Sequence, residues 1–496
     1  MRKQKLIILI LLVSAAIYAQ DQKQIEIINA DYTYINNDLH PDYWRLVGNV
    51  NIKHNNTNMV CDSAYYYSSK ERIKAFKNVK LFKGDSIQVI GNYLTYNGEK
   101  SIAVISENVI FRHNTKTLSS DKITLNIKDD YAYYNTRSQI INLDEKISSN
   151  IGEYNIKDEI YKFTDSVIFI TKDYSITTNF LEHNIKSLKN YIQGPSKILI
   201  NDQIIYCENG FFDSSNNKAE FYQNTKITNK KYIIKADSIF YNNITKHSIA
   251  KSNIQLRDSI NNFILYGGLA EYYQKEDKLI IYDSPLLKLF SEKDTLFMSS
   301  KKFIYTYSNN NKTLQSFNNV KFLNNEIKGR CDSLSYKISD SLISMFKKPI
   351  IWLDEFQVSS DSIDISYYNK SINRIFIKSK PMIVSKEDSL SFNQIKGNKM
   401  TGYFKKNKLS HLDVNGNGQS IYFLNDNNKK IGMNYIESSN ISIKFQDNKI
   451  DQINYEIIPL SITTPYEDIK LKDRYLDGFN WRNNEKPKNK EELITE

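Results

Sequence analysis

Between Val60 and Phe82 the chain reads VCDSAYYYSSKERIKAFKNVKLF, and this sentence is repeated along the molecule. It consists of an Asp62-Ser63 anchor, alternating apolar residues, a polar turn, and a second apolar run entered through Asn78. Sixteen positions separate Asp62 from Asn78, and the same spacing returns about thirty residues later between Asn92 and Asn108. It returns again as Asp237-Ser238-Ile239-Phe240-Tyr241 with Asn253-Ile254-Gln255-Leu256. Another copy is Asp332-Ser333-Leu334-Ser335-Tyr336 with Lys348-Pro349-Ile350-Ile351. Looser copies begin near Asp31, Asp121, Gly152, Asn179, Asn209, Leu269, Lys301, Asp361 and Asn398. A fixed period of this size means stacked units of supersecondary structure, each burying its apolar face against its neighbours.

Within a unit the period is that of strands. In Asp361–Tyr367, the residues Ile363, Ile365 and Tyr367 fall on one face while Asp364 and Ser366 fall on the other. The equivalent inward positions are Leu94 and Tyr96, Ile123 and Leu125, Ile239 and Tyr241, Phe303 and Tyr305, Leu334 and Tyr336. The second run supplies Val79/Leu81, Val109/Phe111, Ile254/Leu256, Val320/Phe322 and Ile351/Leu353. No window sustains a capped apolar stripe at helical spacing. Abundant Tyr (35) and Phe (24) beside scarce Gly (16) and Pro (8) suit pleated, half-buried strands. Each unit is therefore read as two strands, one to each of two facing antiparallel sheets. The fold class is all-β: one elongated body with a continuous apolar interior rather than two or three separate domains.

Residues 1–19 read as a signal peptide. A basic stretch at Arg2, Lys3 and Lys5 precedes an apolar run from Leu6 to Ala16 and a cleavage site after Ala19. Removing those three charges takes the formal +11 to 11 − 3 = +8, a mild excess spread over a solvated surface. An export signal argues against nucleic acid as a partner. Cys61, Cys207 and Cys331 are too few for a disulfide framework. Cys61 and Cys331 precede an anchor Asp and so share one packing slot. The six histidines have no metal-ligand spacing, and the nucleophile and phosphate-loop motifs are missing; no catalytic, cofactor or metal residue is assigned. The anchor Asp reads as a turn residue, since Asn, Gly, Leu and Lys replace it in other copies. Tyr65, Tyr66 and Tyr67 read as packing aromatics rather than a sugar platform.

The repeated A/C-D-S-Φ-x-Y…G/K-N-V-x-Φ pattern behind a signal peptide resembles the OstA-like family. That family includes the periplasmic lipopolysaccharide-transport protein LptA and the N-terminal domain of LptD. The segments Val60–Phe82, Val89–Phe111, Ala236–Leu256 and Gly329–Leu353 carry the resemblance, with Arg45–Ile52 as a second-run signature. It is clearest over residues 20–130, continues through further repeats over 131–455, and ends before a C-terminal tail, 456–496, expected to be partly disordered. Asp477–Arg482 is expected to dock by its aromatics.

The resemblance implies a twisted β-jellyroll whose sheets form a V-shaped trough. Acyl chains of lipopolysaccharide (lipid A) would lie against Leu94, Tyr96, Val109, Phe111, Ile123, Leu125, Ile239, Tyr241, Phe303, Tyr305, Leu334, Tyr336, Ile363 and Ile365. It implies a non-enzymatic bridge in outer-membrane assembly, without cofactor, in the periplasm or at the outer membrane. Its open edges would pair with jellyroll domains of other lipopolysaccharide-transport proteins, or with copies of itself. The competing readings are a secreted parallel β-helix that binds polysaccharide and an adhesive surface rod.

Overall fold

The computed structural model describes residues 24–493, except 37, 39, 40, 201, 231, 292–293, 309–310, 354, 369–370, 406–407, 427–428 and 447–448. The signal peptide assigned to 1–19 lies outside the described residues, as does His40. Among the described residues there are strands and five short 3-10 turns but no α-helix. No described helix is long and apolar enough to cross a membrane. Two compact units are present, Met1–Asn216 and Asn217–Glu496.

In the first unit the chain runs up and down through long strands, including Trp44–His54, Thr57–Tyr67, Arg72–Lys83, Ile87–Asn97, Ile102–His113 and Lys116–Asn126. Each pairs antiparallel with the next, and each ladder slips near its middle. The slip sits on a pair of adjacent residues with positive φ: Gly48-Asn49, Lys77-Asn78, Glu107-Asn108, Asp165-Ser166. The spacing is 29 residues from Gly48 to Lys77 (77 − 48) and again from Asp165 to Gly194 (194 − 165). Such bulges bend the strand and raise its twist, so every strand becomes two segments meeting at a corner.

Segments such as 57–60 and 79–83 form a first wing, and segments such as 63–67 and 72–76 form a second. Alternate residues are buried along both. In Arg72–Lys83, Ile73 and Ala75 are buried before the bend, and Val79 and Leu81 after it. In Thr57–Tyr67 the buried set is Thr57, Met59 and Cys61, then Ala64 and Tyr66, changing phase at Asp62-Ser63. The two wings thus turn their apolar faces toward one interior.

The repeat is two-stranded, as expected. Each strand, however, spans both wings, so a unit contributes four segments rather than one strand per sheet. Beyond the two expected strands lie segments 57–60 and 72–76, which pair with 80–83 and 93–97. The ladders throughout are antiparallel, which removes the parallel β-helix.

The second unit keeps the plan, with long strands Tyr232–Asn242, His247–Asp258 and Phe263–Tyr273. Farther on, the bends at Asp283-Ser284, Lys347-Lys348 and Ser379-Lys380 are each followed by proline. Proline has no N–H for the ladder. There the strands divide outright: Lys278–Tyr282 from Leu286–Phe290, and Leu342–Phe346 from Ile350–Leu353.

After Pro465 the chain runs back over the outer face of the first wing. Ile469 and Leu476, with Tyr466, Tyr475, Phe479 and Trp481, pack on Met382, Val384, Phe392, Ile421, Phe423 and Met433. Two buried glutamines pin this strap. Gln357 donates to Asn480 O at 2.7 Å and accepts from Arg482 N at 2.8 Å. Gln394 donates to Arg474 O and accepts from Leu476 N, both at 2.8 Å. The docking expected of Asp477–Arg482 is seen, and contact continues through Glu485 to Arg330 and the buried Leu493. The described tail residues lie along the sheet instead of leaving it.

Candidate functional site

All fourteen positions assigned to the apolar trough point into the interior between the wings. Tyr241 and Tyr336 are half-buried, and the other twelve are at most 6% exposed. Val109 and Phe111 come from the first wing and the remaining twelve from the second. In each unit the interior is packed with the chain's own side chains. A cavity of about 10 Å³ lies beside Lys116, Ile140, Tyr161 and His183 in the first unit. One of about 20 Å³ lies beside Phe356, Ile395, Tyr422, Ile443, Ile450 and Ile453 in the second.

The free tips of the wings meet along a closing edge, which the sequence did not reveal. At the first-wing tips stand His54, Lys83, His113 and Lys116, each reaching a second-wing tip. His54 Nδ1 and Tyr96 Oη share a hydrogen bond of 2.5 Å; His113 Nδ1 and Tyr154 Oη share one of 2.7 Å. Lys83 donates to Ile127 O at 2.5 Å and pairs with Asp130. Lys116, 7% exposed, pairs with Glu159 at 3.0 Å. In the second unit Tyr305 Oη donates to Asp258 at 3.3 Å in the same way. Farther along that unit the tips meet through rings, Phe356 against Phe445 at 6.1 Å. The signal was present: the second runs end on His54, Lys83 and His113 immediately before a turn, 29 and 30 residues apart (83 − 54, 113 − 83).

Burial governs the electrostatics of this edge. Desolvation pushes the Tyr96 hydroxyl up to about 12. It also raises Tyr154 and Tyr305, so these phenols stay protonated donors. Desolvation, aided by the Lys116 charge, holds His113 below its ordinary value. The hydrogen bond from Lys116 holds the Glu159 carboxyl below its own.

On the opposite side, at the corner, the sixteen-residue spacing becomes a bond. Asn78 Nδ2 donates to Asp62 at 2.9 Å and Asn253 Nδ2 to Asp237 at 2.8 Å. The anchor Asp therefore ties the bend to the facing strand. Cys61, Cys207 and Cys331 all occupy one slot beside the ladder slip, opposite Val50, Ser196 and Val320. Burial lifts their thiols to about 11, 12 and 12. Tyr66 points inward, while Tyr65 and Tyr67 pack with Tyr43 on the outer face, ring centres 4.6 and 5.5 Å apart. Among the described residues no group of three His, Cys, Asp or Glu is placed to hold a metal ion.

Among the described residues, neither terminal edge has a further strand beside it, and both carry exposed apolar side chains. At the start, Glu26–Asn29 and Tyr32–Tyr34 pair only with Trp44–His54 and expose Ile28, Tyr32 and Tyr34. At the end, Leu460–Pro465 pairs only with Lys429–Gln446 and exposes Leu460 and Ile462.

No curated protein matches the chain in sequence. Among solved structures, one match is LptH of Pseudomonas aeruginosa, described as the LptA-homologous periplasmic component of the conserved lipopolysaccharide transport device. It is 7% identical, and the match covers 30% of this chain and 82% of that one at a TM-score of 0.15. The family described as OstA-like protein matches residues 22–179, most of the first unit. Over those residues the chain is similar to the OstA-like proteins.

Proposed function

We propose that this chain is a periplasmic lipopolysaccharide-binding bridge in outer-membrane assembly, exported by the signal peptide at 1–19 and acting without catalytic residues or cofactor. The carrying observation is that bend after bend turns both wings' apolar faces into one interior, within an OstA-like segment and in repeats beyond it. Acyl chains in such an interior gain about 0.8 kcal/mol per buried CH₂, while the sugar-phosphate headgroup stays in water. Because every repeat offers similar apolar surface, lipid can slide without meeting a deep well. Movement in one direction requires an energised partner. The terminal edges, which have no further strand beside them among the described residues, suit strand addition by other transport jellyrolls or by further copies.

The test places photo-crosslinking amino acids at the half-buried inward positions Tyr241 and Tyr336, which tolerate them better than the sealed Leu94 or Phe303. Capture of lipopolysaccharide by these sites, and not by outward Asp364, is the expected result. Equal labelling at inward and outward positions would sink the bridge reading.

A further inference from the structure

The interior of the first unit is sealed from the side, and the seal is made of groups ill-suited to a permanent core. His54, His113 and Lys116 are all under 9% exposed, yet each sits at the outermost inward position of its wing, one step from a turn. Their partners, Tyr96, Tyr154 and Glu159, belong to the other wing and lie 41 to 43 residues away in sequence. Behind this line stand mostly apolar and aromatic groups such as Ile52, Phe111 and Leu125, with hydrogen-bonded hydroxyls such as Ser149 and Thr178 nearer the corner.

A boundary of this kind has a particular energetics. Closed, each polar group is hydrogen-bonded. Open, water replaces the partner, so each contact adds only modestly to closure. Apolar tips would instead expose hydrocarbon on opening and resist it far more. The cost of parting the wings lies in the interior face, and acyl chains entering there remove it.

We propose that the row His54–Tyr96, Lys83–Asp130, His113–Tyr154 and Lys116–Glu159 is a releasable latch. It holds the wings together over the apolar interior and opens to admit acyl chains sideways, between the tips rather than only from the ends. This rests on the lipid-binding reading above and adds the route of entry.

The experiment uses the full chain with Cys61, Cys207 and Cys331 changed to Ala, carrying His113→Cys and Tyr154→Cys. A reducible bis-methanethiosulfonate then ties the two tips, and uptake of fluorescent lipid A is followed. Tying the tips should slow uptake at least about tenfold, the effect of some 1.4 kcal/mol on a rate, and reduction should restore it. Uptake by the tied protein as fast as by the reduced one overturns the latch and leaves lipid binding standing. No uptake by the reduced protein, with its melting curve intact, overturns lipid binding and the latch together. As a second arm, Lys116→Ser with Glu159→Ser, which keeps both tips polar but too short to meet, should speed uptake by about fivefold, one hydrogen bond's worth. An unchanged or slower rate in that folded variant also overturns the latch.

Discussion

The two units build the same cleft and close it with different chemistry. In the first, most strands bend without breaking, those around Thr136 and Asn150 excepted, and the tips join by buried His–Tyr and Lys–Glu contacts. In the far part of the second, proline breaks the strands at the corner and the tips meet through Phe356 and Phe445. There Ile395, Ile450 and Ile453 are only half-buried, while a strap covers the outer face of the first wing. One repeat can therefore give a region sealed by polar groups and a region whose apolar interior reaches the surface. Interior chemistry is conserved between them, while edge chemistry is free to vary.

Charge insertion tests this contrast most harshly. Leu94→Asp buries an unpaired carboxylate at a site with no exposure and should cost at least about 4 kcal/mol, unfolding the first unit. Ile453→Asp, on the half-buried seam, should cost about 1 kcal/mol and act on lipid capture instead. Denaturant unfolding read by proteolysis of each unit separates the two; equal destabilisation would erase the distinction.

Next in size is the strap. Gln394→Ala leaves Leu476 N and Arg474 O without their partner and should destabilise the second unit by about 2 kcal/mol. Cleavage should move into 466–493, and unchanged protease resistance there would show the strap to be held by its aromatics alone.

Acid should act on the first unit's edge. Folded His113 titrates below its ordinary 6.5, so the unfolded chain binds the proton first and stability declines as pH drops below about 6.5. Glu159, held low by Lys116, adds its loss only on further acidification, below its ordinary 4.5. His113→Phe should flatten the first of these declines in a melting series. The smallest effect belongs to the corner. Asn78→Ala removes an exposed hydrogen bond and should cost about 0.5–1 kcal/mol without altering the closing edge.

Much of this was legible in the residues. Alternation exposed the inward positions, because one buried face per strand leaves a period of two. The Asp62–Asn78 spacing was visible before its meaning, since a bend tied across a hairpin fixes both partners in register. The bends themselves were hidden. Lys77-Asn78 and Lys347-Lys348 adopt positive φ without glycine, a conformation imposed by the ladder on either side rather than by local preference. Segments 57–60 and 72–76 were hidden too, because Asn58, Arg72 and Lys74 on their outward faces make them read as turns. The latch was overlooked because each His or Lys, taken alone, looks like an ordinary surface residue; only its recurrence at the wing tips gives it a role. The strap showed itself in Phe479 and Trp481, but its glutamine pins lie more than eighty residues upstream.

The interval of about thirty residues between bends makes each unit a ruler. One interval carries the chain out and back, so it returns to the same corner, heading the same way, with the same face inward. Duplicating or excising a whole interval changes reach while every neighbour keeps its register. Removing half of one would reverse the direction of all that follows. Length is thus a quantity that evolution, or an engineer, can adjust in steps of one repeat.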